Sequence, residues 1–241
     1  MQPEPGATLS QPVYIFDLDG TLLSRNSFPL WAMHMLRGRV PHRGRARQAA
    51  TSLAVARLLL QRKLGRLRHA ALKQRLQAVW QDATAGDDGD HAARLGDSLA
   101  RHVRLNMGEM LRQVRAHEVD AVLATAAAGE YAHALGHRLG FDAILASEAG
   151  SDNLGEEKCR RVLEFLAERN WSVRPRIVFT DHLDDLPLMR ACDAVCWFGP
   201  DDEYAAVARQ LPGVTIVASR SLDSDAVSAA VSRWQLVRLP A

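Results

Sequence analysis

The sequence is poor in cysteine, has no long apolar runs, and over one extended stretch has no acid at all. Its three cysteines, Cys159, Cys192 and Cys196, are odd in number and form no Cys-x-x-Cys. A reduced, cytosolic compartment is the expectation. No apolar run approaches membrane-spanning length. Residues 1–11 are proline-rich and polar, without the basic and apolar regions of a signal peptide. Between residues 20 and 81 there is no Asp or Glu. The same stretch carries Arg25, Arg37, Arg39, Arg43, Arg45, Arg47, Arg57, Arg62, Lys63, Arg66, Arg68, Lys73 and Arg75. Net charge is nevertheless only +2, because the acids sit elsewhere, notably over residues 82–90.

The 241 residues suffice to bury a core without staples, as one domain or a domain with a sizeable insertion. Apolar and charged contents of 47% and 24% are those of an ordinary soluble globular chain.

The most informative stretch is Val13-Tyr14-Ile15-Phe16-Asp17-Leu18-Asp19-Gly20-Thr21-Leu22-Leu23. Residues 13–16 read as a strand buried on both faces of a parallel sheet. Side chains two apart on an extended chain point the same way, so Asp17 and Asp19 can face one site at the strand's C-terminal end. Ligands bind at that edge in open α/β sheets. Gly20 lets the backbone turn away. Crowded carboxylates repel unless a cation or a shared proton relieves them, and an oxygen-rich, thiol-free site suits Mg²⁺. A calcium loop would need Glu at its twelfth position, where Phe28 stands. Ordinary turn residues after a strand are the other alternative.

The next β run is 119–124, and the segment between is helix-like over 30–36, 48–62, 67–80 and 91–103. Breaks fall at 38–44 and 85–89. A helical insertion directly after the paired acids has the position of a cap. The remainder alternates: helix 107–117, strand 119–124, helix 130–139, strand 143–147, helix 156–169, and strands 176–179, 194–197 and 215–218. A helix near 226–234 ends the series. This pattern implies a parallel sheet covered on both faces. The expected organisation is an α/β, Rossmann-like core over 1–23 and 106–241 with an inserted α-helical cap over 24–105.

Asp17-Leu18-Asp19-Gly20-Thr21-Leu22 resembles the first motif of the haloacid dehalogenase superfamily, and the insertion resembles the caps of its phosphoserine-phosphatase-like branch. Three further features fit in order. Thr125 lies where that family has a strand-end hydroxyl, and Lys158 follows a glycine-containing turn. Thr180-Asp181-His182-Leu183-Asp184-Asp185-Leu186-Pro187-Leu188-Met189 resembles the fourth motif. Thr180, His182 and Asp184 depart from that motif, in which Gly or Ser, a small residue and Asn are common. The resemblance implies a phosphatase with Asp17 as nucleophile and Asp19 as general acid/base. It implies phosphate contacts from Thr125, Lys158 and the backbone near Gly20, and Mg²⁺ held through Asp17, Asp19, Asp181 and Asp185.

His133 and His137, four apart on a helix, read as a surface pair rather than a metal site. The five tryptophans read as core residues. Phosphoserine phosphatases carry a Glu nine residues after the nucleophile; Asn26 stands there, which disfavours phosphoserine. The acid-free segment suits a polyanionic substrate or an anionic membrane surface, such as a phosphorylated small molecule or a phospholipid head group of the kind handled by phosphatidylglycerophosphatase-like relatives. A solvated helix face explains the arginines equally well. A basic-cap module that binds anionic lipid, nucleic acid or an acidic partner with little catalysis is the alternative to an enzyme.

Overall fold

The computed structural model describes residues 11–39, 44–85 and 90–237. Among these residues, six strands form one sheet: β1 (Val13–Phe16), β2 (Asp120–Ala128), β3 (Ala143–Ser147), β4 (Arg176–Thr180), β5 (Ala194–Trp197) and β6 (Thr215–Ala218). Their spatial order is β3-β2-β1-β4-β5-β6, and every neighbouring pair is parallel. β1 therefore lies in the middle, with Phe16 opposite Leu123 on one side and Phe179 on the other. The chain runs from β1 to one side of the sheet and later returns through β4 on the other. The strand order reverses between β1 and β4, so their C-terminal ends open the crevice where α/β sheets hold ligands.

The alternation along β1 explains its burial. Tyr14 and Phe16 face one apolar cluster, and Val13 and Ile15 face the other. On the first side Phe16 stacks on Phe179 at 4.3 Å and meets Phe141 edge-on at 5.4 Å. That face is covered by α5 (Gly108–Arg115), α6 (Gly129–Leu139) and α10 (Ser224–Val237), through Leu111, Leu135 and Val227. The opposite face is covered by α7 (Glu156–Glu168), α8 (Leu186–Arg190) and α9 (Asp201–Gln210), through Val162, Met189 and Val207. The fold is the expected parallel α/β sandwich.

Among the described residues, four helices precede α5 in the stretch between β1 and β2: α1 (Ser27–Leu36), α2 (Arg45–Lys63), α3 (His69–Thr84) and α4 (Asp90–Ala100). The helical expectation for this segment holds, with each helix within a few residues of its predicted place. Trp31, Leu72, Leu76 and Trp80 join the core cluster. Trp31, Trp80 and Trp197 are buried, as expected, whereas Trp171 is only half-buried and the side chain of Trp234 lies outside what is described.

β2 is longer than expected. It runs past Thr125 to Ala128, and its register with β3 shifts between Ala124 and Ala128. Pairing with β1 ends at Leu123, so beyond that point the strand is freed on its inner side. The Ala-rich run gave no sequence signal for this extension.

Candidate active site

Asp17 follows directly on β1, and its backbone N–H donates to the Phe179 carbonyl at 2.9 Å. Sheet pairing thus fixes the residue that carries the carboxylate. The next turns reverse the chain, with Gly20 at φ +79°. A Cβ at Gly20 would overlap the Asp181 carboxylate, so Asp181, from the end of β4, packs against that bare backbone. Thr21 Oγ1 donates to Asp181 Oδ1 at 3.3 Å. Arg104 Nε and Nη2 both donate to the Gly20 carbonyl, at 3.0 and 2.7 Å. Gly20→Ala is expected to cost about 1–2 kcal/mol from the left-handed backbone alone, before the overlap with Asp181 is counted. Urea denaturation checks this; an unchanged midpoint would mean that the turn relaxes freely.

Asp19 points back to the start of α1. Its Oδ1 accepts from the Ser27 N–H at 2.8 Å and its Oδ2 from Ser27 Oγ at 3.0 Å; Ser27 Oγ in turn lies 2.7 Å from Tyr131 Oη. Burial pushes the Asp19 carboxyl up to about 6, against the opposing pull of the Ser27 hydrogen bonds. A carboxyl poised near neutrality can both give and take a proton.

Lys158 opens α7 and is buried at 2% exposure. Its Nζ donates to Asp17 Oδ1 at 2.7 Å and to Asp185 Oδ2 at 2.8 Å. Burial works against the ammonium, but the charges of Asp17 and Asp185 outweigh it and raise its pKa. Burial likewise pushes the Asp17 carboxyl up, while Lys158 pulls it down. Both partners cannot hold the proton of one ion pair. With donor contacts to two carboxylates, Lys158 is the group that stays charged. Thr180 Oγ1 adds a third polar contact, donating to Asp185 Oδ2 at 2.6 Å. Asp185 is thereby committed to Lys158 and Thr180 from behind the site.

A cavity of about 650 Å³ opens over these groups, lined among others by Asp17, Asp19, Gly20, Thr125, Lys158 and Asp181. The structure brings the predicted residues together from four separate parts of the chain. Thr125 is buried, and its Oγ1 accepts from the Ala127 N–H at 3.0 Å. Asn153 Nδ2 donates to the Thr125 carbonyl at 3.0 Å and to the Leu145 carbonyl at 2.8 Å, tying β2 to β3 where their register shifts. His182 and Asp184, the departures in the fourth motif, are exposed at the rim, with the Asp184 N–H donating to His182 Nδ1 at 3.1 Å. His133 is taken by Glu148 at 2.9 Å. Among the described residues no three His, Cys, Asp or Glu side chains converge to hold a metal by themselves.

Several contributors carried little sequence signal. Ser27 could have been found, because Asn26-Ser27 before an apolar run reads as a helix start, and Asn26 does cap α1 by accepting from the Phe28 N–H at 2.9 Å. Tyr131, Arg104 and Asn153 could not, since their contacts lie far away in sequence. Lys73 was one basic residue among thirteen. It is buried, lines the cavity, and donates to the Ala126 carbonyl at 2.8 Å and Asp152 Oδ1 at 2.5 Å. One and two turns further along α3, Gln77 and Gln81 each donate to Glu130 at 3.1 Å. The three form a polar seam between α3 and the sheet's crevice edge.

No curated protein matches the chain in sequence. Solved structures do match in fold. A protein of unknown function from Bordetella pertussis Tohama I is 16% identical with a TM-score of 0.66, over 86% of this chain and 98% of that one. A probable phosphoserine phosphatase from Vibrio cholerae is 14% identical with a TM-score of 0.56, over 92% and 66% of the two chains. A phosphoserine phosphatase solved as an analogue of its phospho-aspartyl intermediate is 11% identical with a TM-score of 0.50, over 91% and 98%. At these identities the likeness establishes a shared fold. In sequence, the family model of haloacid dehalogenase-like hydrolases matches residues 14–190, most of the chain, from within β1 to the end of α8. The chain belongs to the haloacid dehalogenase-like hydrolases.

Proposed function

We propose that this protein is a Mg²⁺-dependent phosphomonoester hydrolase that works through an aspartyl phosphate on Asp17. The observation that carries the reading is the Asp17–Lys158 contact at 2.7 Å, made in the β1/β4 crevice with Asp19 beside it. The phosphatase names among the structures that share the fold support it. The Asp17 carboxylate attacks phosphorus and forms an acyl phosphate. Asp19 protonates the leaving oxygen, then takes a proton from the water that cleaves the acyl phosphate and restores Asp17. Lys158, Thr125 and the N–H groups around Gly20 hold the phosphoryl oxygens. Lys158 also offsets the charge that builds during transfer.

The donor chemistry fits Mg²⁺. Burial pushes up the carboxyls of both Asp17 and Asp181, a cost that a cation offsets. Mg²⁺ takes one or two carboxylates plus neutral oxygens. Asp17, Asp181 and the Asp19 carbonyl would hold it, with Asp185 supporting from behind. When bound, the ion neutralises phosphoryl oxygens and orients them for in-line attack.

Residues 24–105 serve in this reading as the cap, docked on the 1–23 and 106–241 core by the Lys73–Gln77–Gln81 seam and closing the cavity around a phosphorylated small molecule. Asp19→Asn keeps the Ser27 contacts' shape but not the proton chemistry. It is expected to slow aryl phosphate hydrolysis by about a hundredfold or more. Beryllium fluoride with Mg²⁺ is the direct test of the reading, since it should place an adduct on Asp17. An adduct on another residue would reassign the nucleophile, and hydrolysis unaffected by chelation would remove the metal.

A further inference from the structure

The outer face of α2 is apolar and basic, and no part of the described protein covers it. Of this 19-residue helix only Val55 is fully buried. Leu58 and Leu59 pack partly against the core. The opposite side presents Leu53 at 71% exposure, Leu60 at 55%, and Leu64, just past the helix end, at 57%. Spaced by seven and then four residues, these leucines fall on one stripe, which runs about 16 Å at 1.5 Å per residue. Exposed Ala46, Ala49 and Ala50 extend the same side. Arg45 and Lys63 border it on one flank and Arg57 and Arg47 on the other, all exposed. No acid occurs anywhere between residues 20 and 81.

We propose that α2 is a membrane-docking helix that lies on anionic lipid, its leucines in the headgroup boundary and its arginines and lysine among the lipid phosphates. An outward side that carries both exposed leucines and cations can seat its apolar side chains at the headgroup boundary and its charges on the lipid phosphates. Long basic side chains reach outward to the phosphates while their stems cover apolar surface. Two other occupants fit less well. A second copy would bring Arg45, Arg57 and Lys63 of both chains together with no acid in the segment to neutralise them. A nucleic acid would satisfy the cations but press charged backbone onto three leucines. An anionic bilayer satisfies both parts of the face at once.

The location adds a functional consequence. The stripe's C-terminal end leads through the Gly65 turn to His69 and Ala70, which line the catalytic cavity. Docking by this helix would therefore set the cavity wall within a few residues of the lipid phosphates.

Vesicle co-sedimentation of the full chain tests the proposal without relying on catalysis. Phosphatidylcholine vesicles with phosphatidylglycerol should retain on the order of tenfold more protein than phosphatidylcholine alone, and high salt should reduce the difference. The triple variant Leu53→Gln, Leu60→Gln, Leu64→Gln should lose binding to both. The variant Arg45→Gln, Arg57→Gln, Lys63→Gln should lose only the preference for the anionic lipid. Circular dichroism and the melting temperature should stay at wild-type level in both, which establishes that they are folded. Wild-type protein that stays in the supernatant would overturn the proposal, as would equal retention of wild type and the leucine variant. A leucine-dependent dimer in sedimentation without vesicle binding would assign the face to a second copy. Binding of a duplex oligonucleotide that exceeds vesicle binding and survives the leucine changes would assign it to nucleic acid. Failure here leaves the phosphatase reading standing, and loss of that reading leaves vesicle binding intact.

Discussion

Asp17→Asn is expected to lower Mg²⁺-dependent hydrolysis of an aryl phosphate by on the order of 10⁴-fold or more, while the protein stays folded. The amide has the shape of the carboxylate and can still accept from Lys158, but it cannot form the acyl phosphate. Stability should not suffer. Burial pushes the Asp17 carboxyl above its ordinary range, so the folded state holds its proton more tightly than the unfolded chain does. Above the unfolded carboxylate range, keeping Asp17 charged therefore costs stability. A neutral amide relieves that cost, and Lys158 keeps Asp185 as a partner at 2.8 Å. The expected pattern is a dead enzyme with a melting temperature at or above wild type, a trade of function against stability found at many active sites. Residual turnover near wild type in a folded Asp17→Asn protein would end the covalent mechanism. A collapse of stability with loss of activity would make Asp17 a structural residue.

Lys158→Met should damage both properties at once, and this separates it from the first variant. The methionine roughly keeps the volume of the stem, but it leaves Asp17 and Asp185 buried side by side with no cation between them. Removing one partner of a buried ionic group costs about 3–5 kcal/mol, and for a chain of this length that lowers the melting temperature by roughly 10 °C. Loss of a positioned charge at the transferring phosphoryl group should lower kcat/KM by a further hundredfold or more. Lys158→Arg keeps the charge and should recover part of the stability, with less activity, because a planar fork cannot reproduce two contacts from one nitrogen. Thermal melts and aryl phosphate kinetics on the two variants decide the matter. A Lys158→Met protein with wild-type melting and turnover would make Lys158 a bystander.

The pattern of the chain was enough to find most of the core. Residues 13–16 are apolar on consecutive positions because β1 is buried on both faces. The later strands and helices alternate because parallel neighbours need a crossover between them. The acids Asp17, Asp19 and Asp181 were legible for the same reason, since they stand where strands run out at the crevice edge. The segment between β1 and β2 was visible as a long helical interruption with no strand in it.

Other features had no local signature. The sequence pattern ends the strand at Thr125, yet β2 continues to Ala128, because Asn153 and β3 supply the backbone partners that β1 no longer gives. Lys158, read from sequence alone, is an ordinary charged residue near a helix start, where it opposes the helix dipole. Only its burial against Asp17 and Asp185 makes it the charge centre of the site. The same holds for Lys73, one of many cations in an acid-free segment until α3 docks it beside Ala126 and Asp152.

The sequence by itself determined the elements, the sheet class and the carboxylates, because hydrophobic periodicity and strand-end position are local properties of the chain. The tertiary structure alone decided which cations face those carboxylates and which face solvent. That choice depends on burial and on contacts between residues more than a hundred positions apart, such as Lys158 with Asp17, and no local pattern encodes them.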